Sequence, residues 1–332
     1  MLLSIIIPHY NLPRELLERC IDSITGLNVA TDEYEVIIVD DGSQEPPLWV
    51  NTSHTDKNIR LITAPHGGPG AARNRGILEA KGTYLEFVDA DDTINPGCEY
   101  NQCLDKLREE KPQILHFNYR IVTPGNNPKH SDSRRVHFSN TISGATYMRE
   151  FNLSGSPCRY FVSRGLLLEK EIRFPENILH EDEEFNTILH FHARTLAYSN
   201  ATLYNYCIRQ GSTTANSSTG FEAKRINDML RIIERLANFR KSQQQCSDQQ
   251  SKGFEHKFTM LTVDAILNMM YNGMSANDII KKSKEHLAPL GAYPLPPASY
   301  STKYRIFRLL ANSKCGMKLL RLLTPSHKPR KR

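Results

Sequence analysis

Residues 84–92 read Tyr-Leu-Glu-Phe-Val-Asp-Ala-Asp-Asp, and the rest of the chain is organised around them. The run Tyr84 to Val88 is short, mostly apolar and bounded by turn chemistry, the pattern of a buried strand. It ends in three carboxylates, Asp89, Asp91 and Asp92. Like charges so close repel, so at neutral pH they need a cation or a proton to coexist. Asp89 and Asp91 are two apart and point the same way in an extended chain. Hard oxygen ligands at the mouth of a strand suit Mg²⁺ or Mn²⁺, with the remaining positions left for phosphate oxygens. The competing reading is that Asp91, Asp92 and Thr93 only cap a helix beginning near Pro96.

The same grammar repeats on the N-terminal side. Leu3–Ile7, Tyr34–Val39 and Asn58–Thr63 are short apolar or β-rich runs, and helical spacing lies between the first two (Leu16, Leu17, Cys20, Ile21, Ile24). A Gly-rich turn, His66-Gly67-Gly68-Pro69-Gly70, leads into a helix over 71–80. Strands nearly all apolar and interleaved with helices predict an α/β parallel sheet covered on both faces. Ligands then bind at the carboxyl ends of the strands. There lie Tyr10-Asn11, Asp40-Asp41, His66 to Arg75, and Asp89 to Asp92.

On the C-terminal side a helix is expected over 97–110 and a strand over 113–122, with 134–138 pairing back on it as a hairpin. Residues 147–153 read as helix, 156–162 as strand and 164–171 as a short helix. A helix opens at Leu179-His180-Glu181-Asp182-Glu183-Glu184, and two short strands follow over 195–199 and 203–209. The polar tract 210–218 reads as a loop. Beyond it the pattern is helical only, which places a domain boundary near 220: a catalytic domain over 1–220 and a helical region over 221–332.

The bulk numbers narrow the class. The chain has 332 residues, 39% hydrophobic and 23% charged, in keeping with a globular protein, and no apolar run reaches the length of a membrane span. Met1–Ile7 lacks a basic n-region and reads as a strand, not a signal peptide. Seven scattered Cys without a CxxC pair predict reduced thiols in the cytoplasm, not a disulfide or zinc framework. The formal charge of +6 is concentrated, because residues 303–332 hold ten Lys or Arg and no acid. The remaining body is net acidic, so no nucleic-acid partner is expected. Between Lys and Arg in the tail stand Tyr304, Ile306, Phe307, Leu309, Leu310, Met317, Leu319, Leu320, Leu322 and Leu323. That is the pattern of a basic amphipathic segment suited to an anionic membrane surface, or equally of a helix docked on the body with a basic end.

Each chemical signal has a plainer alternative. Asp40 can accept from a nucleobase N–H, or Asp40-Asp41-Gly42-Ser43 can be an ordinary turn. Arg73 and Arg75 can pair with phosphate or acids at a helix start, or face solvent. Glu181 and Asp182 can supply a general base, or only favour the helix dipole. There is no GxSxG elbow, no GxxxxGK[ST] loop and no HExxH.

Taken in order and at their spacing, Ser4–Asn11, Val39–Ser43, Gly67–Gly76, Gly82–Asp92, Glu181-Asp182 and Arg209–Thr214 resemble a family 2 glycosyltransferase of the bacterial surface-polysaccharide type. The resemblance covers residues 1 to about 215. It implies a GT-A fold: a Rossmann-like mixed sheet flanked by helices, here with a helical C-terminal extension. It further implies inverting, metal-dependent transfer of a sugar from a nucleotide sugar, usually a UDP-sugar, to a hydroxyl of a glycan or lipid-linked glycan. By the same resemblance Pro8, Tyr10, Asn11, Asp40 and Asp41 line the base and ribose site. Arg73, Asp89, Ala90 and Asp91 face the donor, Asp91 and Asp89 are the ligands of Mn²⁺ or Mg²⁺, and Asp182, beside Glu181, is the general base. Thr213 and Thr214 lie on a loop that closes over the donor. Such a protein is expected in the cytoplasm, peripheral on the inner face of the membrane. A sugar nucleotidyltransferase would need a Gly-rich, Lys- or Arg-bearing loop where Pro8-His9-Tyr10-Asn11 stands. A non-catalytic nucleotide-sugar-binding module would not need Asp89, Asp91 and Asp182.

Overall fold

The computed structural model describes residues 1–53, 58–123, 135–151, 153, 155–209 and 219–324. The chain divides into two compact units, Met1–Tyr147 with Gly155–Gln210, and Met148–Ser154 with Gly211–Arg332. The expected loop at 210–218, with Thr213 and Thr214, lies outside the described residues.

In the first unit the elements run β1 (Leu3–His9), α1 (Arg14–Thr25), β2 (Tyr34–Asp40), α2 (Val50–Ser53), β3 (Ile59–Thr63), α3 (Gly68–Glu79), β4 (Tyr84–Phe87), β5 (Thr93–Ile94), α4 (Cys98–Glu109), β6 (Ile114–Val122), α5 (Gly144–Glu150), β7 (Tyr160–Ser163), α6 (Arg164–Glu169), α7 (Glu181–His192) and β8 (Leu196–Cys207). The last turn of α5 belongs to the second unit. The sheet order is β3-β2-β1-β4-β7-β6-β8-β5. β1 pairs in parallel with β2 and with β4, in register Ile6↔Ile37 and Ile6↔Phe87. From β1 the chain first builds outward to β3 and then returns to β4 on the other side. That reversal opens a crevice beyond the carboxyl ends of β1 and β4. β1, β2 and β4 are buried almost throughout, as strands covered on both faces must be.

The sheet is mixed beyond β4, where β7 runs antiparallel to both β4 and β6. Three details depart from the sequence pattern. The two strands expected over 195–209 are one strand, β8, whose pairing with β6 jumps from His116↔Tyr198 to Asn118↔Thr202. The extra residues bulge out, and a bulge breaks the alternation that marks a strand in sequence. Phe138 bridges Ser199 of β8 and, among the described residues, shows no hairpin pairing with β6. Finally, the helix after the acidic cluster starts at Cys98 behind Gly97 with no side-chain cap, so Asp91, Asp92 and Thr93 do not cap it. Thr93 and Ile94 instead form β5 against β8.

Glu86 sits in the middle of β4, fully buried. Tyr100 OH donates to its Oε2 at 2.5 Å, while Oε1 has no partner among the described residues. Burial, only partly offset by the Tyr100 bond, pushes its pKa from 4.5 up to about 8. The folded state therefore keeps a proton there that the unfolded chain releases near its ordinary value. That stabilisation is full below pH 4.5 and is lost as pH rises through 8. Glu86→Gln is expected to leave the melting temperature nearly unchanged at pH 5 and to raise it by roughly 2–4 °C at pH 8. Thermal melts across that range check it; an equal shift at both pH values would contradict it.

The second unit is helical: α8 (Thr219–Ser242), α9 (Asp248–Tyr271), α10 (Ala276–Lys282), α11 (Thr302–Ala311) and α12 (Lys314–Leu323). α9 begins ten residues before its clear apolar spacing, because Ser247 and Gln250 form a reciprocal capping box.

Candidate active site

Loops after β1, β2 and β4 and the N-termini of α3 and α7 converge at the crevice. At the β1–β2 corner, Asp40 is fully buried. Its Oδ1 lies 3.0 Å from His9 Nδ1, and its Oδ2 accepts from the Ser43 amide at 3.2 Å. Ser43 Oγ accepts from the Asn11 amide at 2.8 Å, and Asn11 Oδ1 accepts from the Gln44 amide at 2.9 Å. Asn11 has φ 46°, a left-handed conformation that Asn tolerates better than most residues. Asp40 and Asn11 thus lace the two loops together. Tyr10 stands outside them, its ring stacked on His66 at 4.3 Å and exposed. Pro8 is still part of β1. A cavity of about 620 Å³ adjoins this corner, lined by His9, Asn11, Arg14, Trp49 and their neighbours, and it includes none of the Asp side chains.

Asp41 faces the Gly-rich turn. Its two oxygens accept from the Gly67 amide at 2.8 Å and the Gly68 amide at 2.9 Å, and its Oδ2 lies 2.9 Å from His66 Nδ1. Two amides that a helix start could offer to a phosphate are thus taken by a carboxylate of the protein itself. Gly68 has φ +84°, and Gly is the residue that adopts this without strain.

The three carboxylates after β4 are relieved in three different ways. Asp89 Oδ1 accepts from Arg73 Nη2 at 2.8 Å. Asp91 Oδ2 accepts from Arg209 Nε at 2.5 Å, and its backbone carbonyl accepts from Arg19 at 2.6 Å. Asp92 is buried, and burial together with the charge of Asp89 pushes its pKa up to about 8, which favours the protonated form. Asp92 accepts from Tyr204 OH at 2.6 Å and from the Cys207 amide at 2.7 Å. It is the tie that brings β8, and Arg209 after it, to the acidic corner. Ala90 between them is buried, as is Cys158 nearby, whose thiol pKa burial and then Asp89 drive upward.

Arg73 joins this corner to the second acidic motif. Its side chain is 6% exposed, and its Nη1 donates to Glu181 Oε1 at 2.8 Å while Nη2 holds Asp89. Burial alone would lower the guanidinium pKa; Asp89 and Glu181 outweigh it and raise it. Arg75 on the same helix is exposed and, among the described residues, pairs only with Glu79, four residues on. Glu181 and Asp182 occupy the first turn of α7, and Asp182 Oδ1 accepts from the Glu183 amide at 3.0 Å. What brings α7 here is α3. Asn74 Nδ2 donates to the Phe174 carbonyl and Asn74 Oδ1 accepts from the Phe174 amide, both at 2.8 Å. At Gly70 a Cβ would lie 2.5 Å from the Pro175 carbonyl oxygen, so only Gly allows this approach. No sequence signal assigns a role to Asn74, His9 or Tyr204, because their partners are far away in the chain. Arg209 stands inside a recognisable motif, but only the fold shows what it touches.

A crevice above a mixed sheet, lined by acids held by Arg on two distant segments, is the architecture of a GT-A glycosyltransferase. The profile described as Glycosyl transferase family 2 matches residues 4–171, so the chain belongs to that family. It is 25% identical over 248 residues to the glycosyltransferase YibD of Escherichia coli K12, covering 70% of each chain. It is also similar to the poly(ribitol-phosphate) beta-glucosyltransferase of Bacillus spizizenii, 42% identical over 98 residues, or 28% of this chain and 15% of that one. Among solved structures, S. aureus TarS 1–349 in complex with UDP-GlcNAc superposes with a TM-score of 0.65 at 21% identity, covering 96% of this chain and 89% of that one. The protein is a glycosyltransferase.

Proposed function

We propose that the protein moves a sugar, with inversion at the anomeric carbon, from a UDP-sugar to a hydroxyl of a glycan or lipid-linked glycan. The observation that carries this reading is the Arg73 bridge, which sets Glu181-Asp182 beside Asp89 although they are about 90 residues apart. Donor chemistry and acceptor chemistry then share one crevice. TarS, of the same fold, is known with UDP-GlcNAc, and the Bacillus relative is named for a polyol-phosphate polymer acceptor. Both support a UDP donor and a surface-polymer acceptor.

In this reading Tyr10, Asn11 and Pro8 border the nucleoside. Asp40 accepts the base N–H on the second lone pair of an oxygen already engaged with His9 or Ser43. Its burial means that the Asn11 loop must move outward first. Asp41 shapes the site by holding the Gly-rich turn. Asp182 takes the proton of the acceptor hydroxyl as that oxygen attacks the anomeric carbon and the bond to the diphosphate breaks. Glu181 is committed to Arg73 and acts as its anchor.

The donor set fits a hard divalent cation. Among the described residues no three His, Cys, Asp or Glu form a cage, but Mg²⁺ and Mn²⁺ use one or two carboxylates plus phosphate oxygens and water. Asp89 and Asp91 each have one oxygen without a partner among the described residues. They would hold the ion, which supplies charge neutralisation for the departing diphosphate. Calorimetric titration with UDP, with and without Mn²⁺, tests this on wild type and Asp91→Ala. Metal-dependent binding that weakens at least about ten-fold in the variant is expected, the loss of one charge-assisted contact. Binding indifferent to both metal and mutation would overturn the assignment.

A further inference from the structure

The outer face of α11 and α12 is unlike the rest of the second unit. The two helices of 10 residues each carry Lys303, Arg305, Arg308, Lys314, Lys318 and Arg321, and no acid. Their inner face is fastened. Tyr304 OH donates to the Pro296 carbonyl, Asn312 bonds Leu295 through both its amide and its carbonyl, and Arg321 Nε donates to the Met274 carbonyl. Met317, Ala311 and Gly316 are buried, and at Gly316 a Cβ would lie 2.4 Å from the Leu310 carbonyl oxygen. With those residues turned inward, Ile306 and Leu309 of α11 and Leu319, Leu322 and Leu323 of α12 face out; Leu322 is 84% and Leu323 69% exposed. They recur at three- and four-residue spacing, so each helix shows one apolar stripe, flanked by exposed Arg305, Lys314 and Lys318.

We propose that this face lies flat on an anionic phospholipid surface. Large aliphatic side chains held in water next to cations match the boundary between acyl chains and acidic headgroups. Neither helix can span a bilayer: 10 residues reach about 15 Å, half the hydrocarbon thickness. Among the described residues no helix of the chain is long and apolar enough to cross. Charge argues against a second copy as the occupant, since the two faces would bring like charges together without a compensating acid. A surface-bound enzyme would meet a lipid-linked acceptor in two dimensions, but the proposal does not require that acceptor, because vesicle binding is read without any substrate.

The test is co-sedimentation of the full chain with vesicles of phosphatidylglycerol and phosphatidylcholine in equal parts, against vesicles of phosphatidylcholine alone. Wild type is expected to pellet with the anionic vesicles only. Partition should fall about ten-fold or more in Leu319→Ser/Leu322→Ser/Leu323→Ser and, separately, in Arg305→Glu/Lys318→Glu. These residues are exposed, so circular dichroism melts should match wild type. Failure to pellet, equal pelleting with both vesicle types, or a wild-type dimer in light scattering that the serine variant abolishes would each overturn the proposal.

Discussion

Asp182→Asn is expected to lower kcat by about 10²- to 10⁴-fold, the range a positioned general base contributes. UDP affinity should stay near wild type, because in the proposed reading Asp182, on the first turn of α7, serves the acceptor and not the donor. The substitution keeps shape and the bond from the Glu183 amide, so folding should be unaffected. Glu181→Gln discriminates between the neighbours. Glu181 already gives an oxygen to Arg73, so its loss should weaken the bridge and lower stability as well as rate. If Asp182→Asn keeps more than a tenth of wild-type turnover while Glu181→Gln is inert, the base has been assigned to the wrong one of the pair. Steady-state kinetics at saturating donor, alongside UDP titration, separates these outcomes.

Arg73→Ala should be the most destabilising single change at the site. Its guanidinium is almost fully buried and bonds Asp89 and Glu181 at 2.8 Å each. Removing it leaves two carboxylates facing one another, one of them 12% exposed, with no cation between. Breaking a pair buried on both sides costs about 3–5 kcal/mol; Asp89 is 38% exposed, so the loss here should fall below that range, at about 2–3 kcal/mol. Melting should drop by roughly 5–10 °C, and donor binding and turnover should fall together. Arg73→Lys should recover only part, because an ammonium cannot direct two planar bonds at once toward groups on opposite sides. A loss below about 1 kcal/mol in denaturant unfolding of Arg73→Ala would show that the bridge is dispensable.

The behaviour of the acidic cluster shows where sequence reasoning stops. That Asp89, Asp91 and Asp92 could not all stand as bare charges followed from adjacency. Which one is pushed toward the protonated form depends on burial, and Asp92 is covered by Tyr204 and Cys207, more than 110 residues away. Asp89 and Asp91 are satisfied by arginines from two other segments. Likewise the Gly-rich turn was readable as a turn opening a helix, but its amides went to Asp41, a partner that strand pairing chose.

The sequence by itself determined the parallel run of strands, the positions of the crevice loops at their carboxyl ends, the family and the helical C-terminal region. Those rest on local periodicity and on motifs whose residues are near one another in the chain. Only the tertiary structure decided that β7 reverses within the sheet, that β8 is one bulged strand, and that Arg73 rather than Arg75 joins the two acidic motifs. The physical reason is the same in each case. Strand direction, register and the docking of Phe174-Pro175 against Gly70 and Asn74 are set by packing between distant segments, and no local propensity encodes that.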